Sequence, residues 1–166
     1  MHVPKIRLSA AAAALLLMGV AGTALGTPPS GVLSAPILAR GDFTDPVDVK
    51  FKIGTDQGIV VSNAPDAGEV VVQQITIAPG GTTGWHSHPG PVVVVVKAGA
   101  LTFVEVEQGV GTETIYPAGS AFVDPGQGHA HSAFNRGTVN LELIATYFDV
   151  PVGGSPRIDQ PAAAAC

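Results

Sequence analysis

Cysteine is nearly absent from this 166-residue sequence, and the single cysteine is the last residue, Cys166. A chain with one cysteine cannot form an intramolecular disulfide, even in an oxidising compartment. A frayed terminal thiol is a simpler expectation for Cys166 than an intermolecular bridge. The fold must therefore be stabilised by a hydrophobic core, and the chain is long enough to form one.

Basic residues are scarce as well. The sequence has 8 Lys and Arg against 13 Asp and Glu, which gives a formal net charge of −5. Proteins that bind nucleic acid or anionic lipid need a basic face. We therefore expect no nucleic acid among the partners of this protein.

The first 26 residues have the pattern of a secretory signal peptide. Lys5 and Arg7 supply a positive start, Leu8–Ala21 an apolar middle, and the small residues 24–26 a cleavage site. The apolar segment is short and rich in Ala and Gly, which is unfavourable for a membrane span. We expect residues 1–26 to be removed and the protein to be secreted or held in the cell envelope, without stable membrane insertion.

Long stretches with the 3.6-residue period of an amphipathic helix are also lacking. Short Val-rich runs alternate instead with turns that use many of the 21 Gly and 14 Pro residues. This pattern predicts an all-β fold, either an antiparallel barrel or a double-sheet jelly roll, over residues 47–150. Residues 27–46 are predicted to form an extended arm, in which Val32–Ala39 could add an edge strand to this barrel or to a neighbour's. Residues 151–166 are predicted to be a disordered tail.

Two predicted strands, Val92–Lys97 and Leu101–Glu107, flank the dipeptide Ala98-Gly99, which is typical of a two-residue hairpin loop. Such a hairpin would place Val92 opposite Glu105, on the same face of the sheet. A register shift of one residue would turn Glu105 outward.

Histidine is concentrated in two short motifs. Beyond His2, the histidines are His86 and His88 in WHSHPG and His129 and His131 in GQGHAH. Side chains two residues apart on a strand point to the same face, so the members of each pair should project into one space. Neutral imidazoles are good ligands for a divalent transition metal. The pattern therefore predicts a metal site, while rim histidines bonded to the backbone are the alternative.

The spacing of these residues resembles the two motifs of the cupin superfamily, in particular its small cupins. The first motif, G-x5-H-x-H followed by a glutamate and a glycine, is matched by Gly80, His86, His88 and Gly99, with Val92 at the glutamate position. By this resemblance the fold would be a cupin barrel.

The second motif, G-x5-P-x-G-x2-H-x3-N, is matched by Gly119, Pro125, Gly128, His131 and Asn135, with one extra residue between the proline and the glycine. The resemblance implies that His86, His88 and His131 are metal ligands.

Val92 cannot ligate a metal, and three arrangements remain open. The metal could be held by three histidines alone, His129 could act as a fourth ligand, or Glu105 could replace the missing carboxylate. Three neutral imidazoles leave the 2+ charge of an ion uncompensated, so a three-histidine site should favour an anionic or chelating ligand.

The resemblance implies a metal-dependent site for a small molecule in the barrel mouth. The expected activity is a non-haem oxygenase with Fe(II) favoured and Mn, Zn, Ni or Cu as alternatives, and a metal-assisted isomerase or lyase is a further option. The competing hypothesis is a non-catalytic protein of the cell envelope that binds metal or a small ligand. Val92–Val96 is apolar on both faces, and strand-swapped dimers are common in the resembling family, so we expect a homodimer.

Overall fold

A computed structural model describes residues 27–55, 58–107 and 110–162. Residues 1–26, where we predict the signal peptide, and Cys166 lie outside the described part of the chain. Within the described ranges, no helix is long and apolar enough to span a membrane. Thirteen strands are present in those ranges, and they are β1 (Ser30–Ser34), β2 (Ile37–Gly41), β3 (Val49–Thr55), β4 (Gly58–Ala64), β5 (Glu69–Thr82), β6 (His86–Ser87), β7 (Val92–Ala98), β8 (Ala100–Glu107), β9 (Val110–Pro117), β10 (Ala121–Asp124), β11 (His131–Phe134), β12 (Leu141–Val150) and β13 (Ile158–Asp159).

Eleven of these strands form a nearly closed antiparallel barrel, as predicted, whereas β3 and β4 pair with each other in a separate two-stranded sheet. β12 lies between β5 and β7, and β7 also pairs with β10. On the other side, β8 lies between β9 and β11, and β11 connects back to β5 and β6. Closing a sheet in this way protects its edges and encloses an interior lined by every second side chain.

The barrel core follows directly from this alternation. β12 reads Leu-Glu-Leu-Ile-Ala-Thr-Tyr-Phe, and its first, third, fifth and seventh residues are buried. Two apolar clusters result, one around Ile77, Leu101 and Leu141 and the other around Val71 and Val92. Truncating a buried Leu or Ile to Ala in such a core costs about 2–5 kcal/mol.

The hairpin predicted at Ala98-Gly99 is wrong. β7 and β8 follow each other in the chain, but β7 pairs with β10 and β12, whereas β8 pairs with β9 and β11. Gly99 has a φ of 76°, and a Cβ there would lie 2.9 Å from the Asn140 carbonyl oxygen. The glycine therefore turns a tight corner between the two sides of the barrel.

The arm before the barrel contributes edge strands to this barrel. β1 and β2 both pair with β5, on either side of the break at Pro36. The Gln73 side chain donates a hydrogen bond of 2.7 Å to the Ala35 carbonyl oxygen, which fixes the connection between the two strands.

The prediction of a disordered tail is wrong for residues 151–162. β13 pairs with β6, where Ile158 lies opposite Ser87 and Asp159 opposite His86. A composition rich in Pro, Gly and Ala suggests disorder, but it does not show that a sheet edge is available to bind the segment. The tail therefore crosses the end of the barrel at which the first histidine pair lies.

Candidate metal centre and its cavity

The three histidines predicted from the motifs meet inside the barrel. His86 lies in β6 directly opposite His131 in β11, and His88 follows two residues after His86. Their exposed fractions are 6%, 3% and 5%, respectively. The structure therefore brings together imidazoles from two separate strands, as the spacing predicts.

The distances within this cluster are compatible with a shared ion. The ring centroids lie 4.9 Å apart for His86 and His88, 4.4 Å for His86 and His131, and 5.1 Å for His88 and His131. One ring nitrogen from each of the three lies within 4.8 Å of the others. Three histidines arranged in this way are a common donor set for zinc, iron, copper or nickel.

Backbone carbonyl groups orient two of the rings. His86 Nδ1 lies 2.8 Å from the Gly84 carbonyl oxygen, and His88 Nδ1 lies 2.6 Å from the carbonyl oxygen of Pro156 in the tail. A carbonyl can only accept, so each Nδ1 carries the proton and each Nε2 keeps its lone pair. This is the usual outer contact of a metal-ligating histidine, and it fixes both the ring orientation and the tautomer.

Burial keeps the imidazoles uncharged. Loss of hydration lowers the pKa of His86 well below its ordinary value, and the neighbouring His131 and His88 lower it further. Burial also lowers the pKa of His88, and it lowers that of His131 to about 4. All three rings are therefore neutral at pH 7, which is the form that binds a metal.

Asp124 is a site residue that our sequence analysis missed. It ends β10, directly opposite Val92, and is 2% exposed. Its Oδ2 lies 3.5 Å from His131 Nδ1 and 3.7 Å from His88 Nε2, and among the described residues this oxygen has no hydrogen-bond partner. Val92 is buried in an apolar cluster, so the carboxylate of this site comes from the strand that pairs with it.

Asp124 is charged in this environment. Burial by itself would raise the pKa of Asp124, but a hydrogen bond with His129 and the proximity of His131 and His88 outweigh it and hold the pKa below its usual range. The Gly126 amide also donates a hydrogen bond of 3.1 Å to Asp124 Oδ1. A negative charge therefore lies beside two of the three clustered histidines.

His129 and Glu105 lie outside the three-histidine cluster. Glu105 faces the interior, as expected, but it lies opposite His131 and not opposite Val92. Its Oε2 is 3.3 Å from His129 Nε2, and the other ring nitrogen of His129 is 3.4 Å from Asp124 Oδ1. His129, Asp124 and His131 form a second group whose potential ligand atoms lie within 4.8 Å of one another.

A cavity of about 530 Å³ opens beside His86 and His88. Its size is typical of sites for small molecules, and its walls are mostly apolar. Tyr147 also lines the cavity, and its hydroxyl donates a hydrogen bond of 3.1 Å to Gln73. The remaining walls come from the arm, β5 and the tail, with Pro29, Val32, Ile37, Ile75, Pro156 and Arg157 among the lining residues.

Comparison with known proteins agrees with this geometry. Residues 73–147, which include both histidine pairs, match the family model described as Cupin domain. A stretch of 70 residues is 36% identical to (R)-mandelonitrile lyase from Granulicella tundricola and covers 42% of this chain and 52% of the lyase. The chain therefore spans about half the length of this curated relative.

Solved structures similar to this fold include an oxalate oxidase, at 27% identity over 48% of this chain and 41% of the oxidase, with a TM-score of 0.43. They also include Bacillus subtilis oxalate decarboxylase, at 20% identity over 54% of this chain and 23% of the decarboxylase, with a TM-score of 0.47. The family-model match, the antiparallel barrel and the three converging histidines lead to one conclusion: residues 73–147 of this chain form a cupin domain.

Proposed function

We propose that this protein is a metal-dependent cupin that acts on a small anionic or chelating molecule, with His86, His88 and His131 as the metal ligands. One observation carries this proposal: three buried, neutral imidazoles converge on one position, and two of them, His86 and His88, line a cavity of about 530 Å³. Buried histidines without such a role would not need to point their ring nitrogens at a common position.

The surroundings of the cluster fit a cation. Asp124 Oδ2 is a buried, charged oxygen with no hydrogen-bond partner among the described residues, which is costly unless a positive charge lies close to it. The carboxylate would offset one unit of a 2+ charge. The ion would thus be only partly neutralised, which keeps the site attractive to an anionic ligand.

A divalent metal on these nitrogens would supply Lewis acidity, and Fe(II) would in addition supply chemistry with O₂. The protein residues would orient the ligand and keep water out. The apolar walls formed by Val32, Ile37 and Ile75 exclude water, and the Tyr147 hydroxyl, whose proton is donated to Gln73, leaves its oxygen as a hydrogen-bond acceptor for a ligand. Burial raises the pKa of Tyr147 above its ordinary value of 10.0, so this hydroxyl stays protonated.

We favour Fe(II) and a non-haem oxygenase activity, with Mn, Zn, Ni or Cu as alternative ions. The test starts with the metal content of protein purified without chelator, compared with that of a His86→Ala/His131→Ala double variant. We expect metal in the wild type and little in the variant. Equal metal content in both proteins would refute the ligand assignment.

The activity is tested by oxygen uptake. Uptake that depends on Fe(II) and on a candidate 2-hydroxy or 2-keto acid would establish the oxygenase.

A lyase is the second candidate, because a stretch of 70 residues in this chain is 36% identical to (R)-mandelonitrile lyase. Release of benzaldehyde from mandelonitrile by the metal-loaded protein, without oxygen uptake, would favour it. Tight binding of metal or ligand with no turnover of either type would instead favour the non-catalytic binding protein of the cell envelope.

We further propose that the protein is exported and forms a homodimer. The signal-like pattern of residues 1–26 supports export. Exposed apolar side chains on the barrel support association, since Val95 on β7 is 41% exposed and Leu33 and Leu38 on the arm are 60% and 54% exposed. Light scattering on the protein without residues 1–26 measures the oligomeric state, and a monomer at micromolar concentration would argue against the dimer.

A further inference from the structure

The tail segment that crosses the cavity is anchored at two points on either side of Arg157. Before it, the Pro156 carbonyl oxygen accepts the hydrogen bond of His88. After it, the Gln160 amide donates to the Trp85 carbonyl oxygen over 3.1 Å, and the Gln160 side chain donates to Ser87 over 2.9 Å. The backbone at Arg157 is therefore held in place at the cavity wall.

The guanidinium of Arg157 is only partly used by the protein. Its Nε donates a hydrogen bond of 2.7 Å to Asp159, whose side chain is 68% exposed. Its Nη2 is buried and has no hydrogen-bond partner among the described residues. A buried, charged N–H group without an acceptor is costly, so a ligand that supplies the acceptor would be favoured.

Arg157 lies close to the candidate metal centre. It lines the same cavity as His86, His88 and Tyr147. Its positive charge contributes to lowering the pKa of each of these three residues, which is a measure of its proximity. A ligand in this cavity would therefore lie beside both the histidine pair His86/His88 and the guanidinium of Arg157.

We propose that Arg157 Nη2 is the anion-binding group of this cavity and that it binds the carboxylate of a small carboxylic acid. This inference rests on the proposed function and narrows its substrate class. The walls of the cavity are mostly apolar, which suits a carboxylic acid with an apolar body. A phosphate ester is disfavoured, because its three acceptor oxygens would meet one free guanidinium nitrogen instead of several donors.

The test compares the binding of mandelate and of its neutral amide, mandelamide, by calorimetry. Mandelate combines a carboxylate with a 2-hydroxyl group and an aromatic ring that suits the apolar walls. We expect the wild type to bind mandelate more tightly than mandelamide. Arg157→Gln should weaken mandelate binding about 10- to 100-fold and leave mandelamide binding unchanged, while Arg157→Lys should lie between the two.

Arg136→Gln is the matched control, because Arg136 is an exposed arginine that pairs with Glu113 outside the cavity. It should bind mandelate like the wild type. Equal mandelate affinity in wild type and Arg157→Gln, or no preference of the wild type for mandelate over mandelamide, would overturn the proposal.

Metal content and the thermal midpoint are measured on the same samples, and Arg157→Gln should match the wild type in both. If neither the wild type nor any of the variants contains bound metal, the proposed function is refuted. The mandelate titrations of metal-free wild type and Arg157→Gln would still decide the role of Arg157, because Nη2 belongs to the protein and not to the ion.

Discussion

Asp124 gives the site a charge that its motif residues lack. At the position where related cupins often carry glutamate, this chain has Val92, and the strand next to it supplies a carboxylate from the opposite register position. The carboxylate lies beside His131 and His88, and it stays ionised despite its burial. The 2+ charge that we expected to be uncompensated is thus partly balanced.

Asp124→Asn should therefore weaken metal binding. The amide has nearly the same shape but no charge, so the change removes electrostatic support and leaves packing almost intact. We expect a 10- to 100-fold loss of affinity, as is typical when an outer partner of a metal site is removed. Competition with a chromophoric chelator measures this. Glu113→Gln, on the exposed Arg136 pair, is the control, and equal affinities in Asp124→Asn and the control would contradict the role of Asp124.

Acid should destabilise the metal-free protein in a defined pH range. The pKa of His131 is about 4 in the folded state against 6.5 in the unfolded chain. Between these values the unfolded state binds more protons, so the free energy of unfolding falls as the pH drops from 6.5 to 4. His131 alone would contribute about 3 kcal/mol to this loss, and the lowered pKa values of His86 and His88 act in the same direction.

Urea unfolding at a series of pH values checks this expectation. His131→Gln should show a shallower dependence on pH in this range than the wild type. Lys97→Gln, which alters an exposed ion pair with Glu142, should keep the dependence of the wild type. Identical pH profiles for wild type and His131→Gln would show that His131 is not held neutral by burial.

At the scale of elements, the site depends on a close approach of two loops. Gly126, in the loop before β11, has a φ of 64°, and a Cβ there would lie 1.8 Å from the Gly90 carbonyl oxygen in the loop after His88. No side chain fits this contact. The loop that leads to His131 is thereby packed directly against the loop that follows His86 and His88.

Gly126→Ala should consequently separate the two loops. We expect a loss of at least about 2 kcal/mol in the free energy of unfolding, together with weaker metal binding. Gly119→Ala is the matched control, because Gly119 also has a positive φ, 88°, but a Cβ there would meet nothing within 4 Å. It should cost about 1 kcal/mol and leave metal binding unchanged. Equal effects of the two changes on metal affinity would contradict the importance of the loop contact.

The local part of this architecture could be predicted from the sequence. Strand parity places His86 and His88 on one side, and alternation along Leu141–Val150 identifies the buried residues. The buried Asn135, a position of the second motif, forms hydrogen bonds within its own turn: its Oδ1 accepts from the Gly137 amide, and its Nδ2 donates to the Val139 carbonyl oxygen.

Strand pairing could not be predicted in the same way. Ala98-Gly99 has the composition of a hairpin loop, and only the rest of the barrel shows that β7 and β8 pair with other strands. Asp124 was missed for this reason, because nothing local indicates that β10 lies next to Val92. The position of Arg157 depends likewise on the pairing of β13 with β6, which composition did not suggest.

At the scale of the whole molecule, both ends of the described chain cover the same opening of the barrel. Thr27 accepts a hydrogen bond from the Trp85 amide, and its own amide donates to the Gln160 carbonyl oxygen. Arg40 on β2 donates to the Gly154 carbonyl oxygen over 3.0 Å and pairs with Glu69. Arm and tail thus build the walls of a cavity that a bare barrel would leave open, and we expect them to determine which ligand enters.

The central claim is that His86, His88 and His131 bind one common ion, and anomalous scattering from crystals of the metal-loaded protein tests it most directly. Data collected on both sides of the absorption edge of the bound metal identify the element and its position. We predict a single strong peak about 2.0–2.2 Å from one ring nitrogen of each of the three histidines. A peak elsewhere, or no peak between these rings in protein that retains stoichiometric metal, would contradict the account.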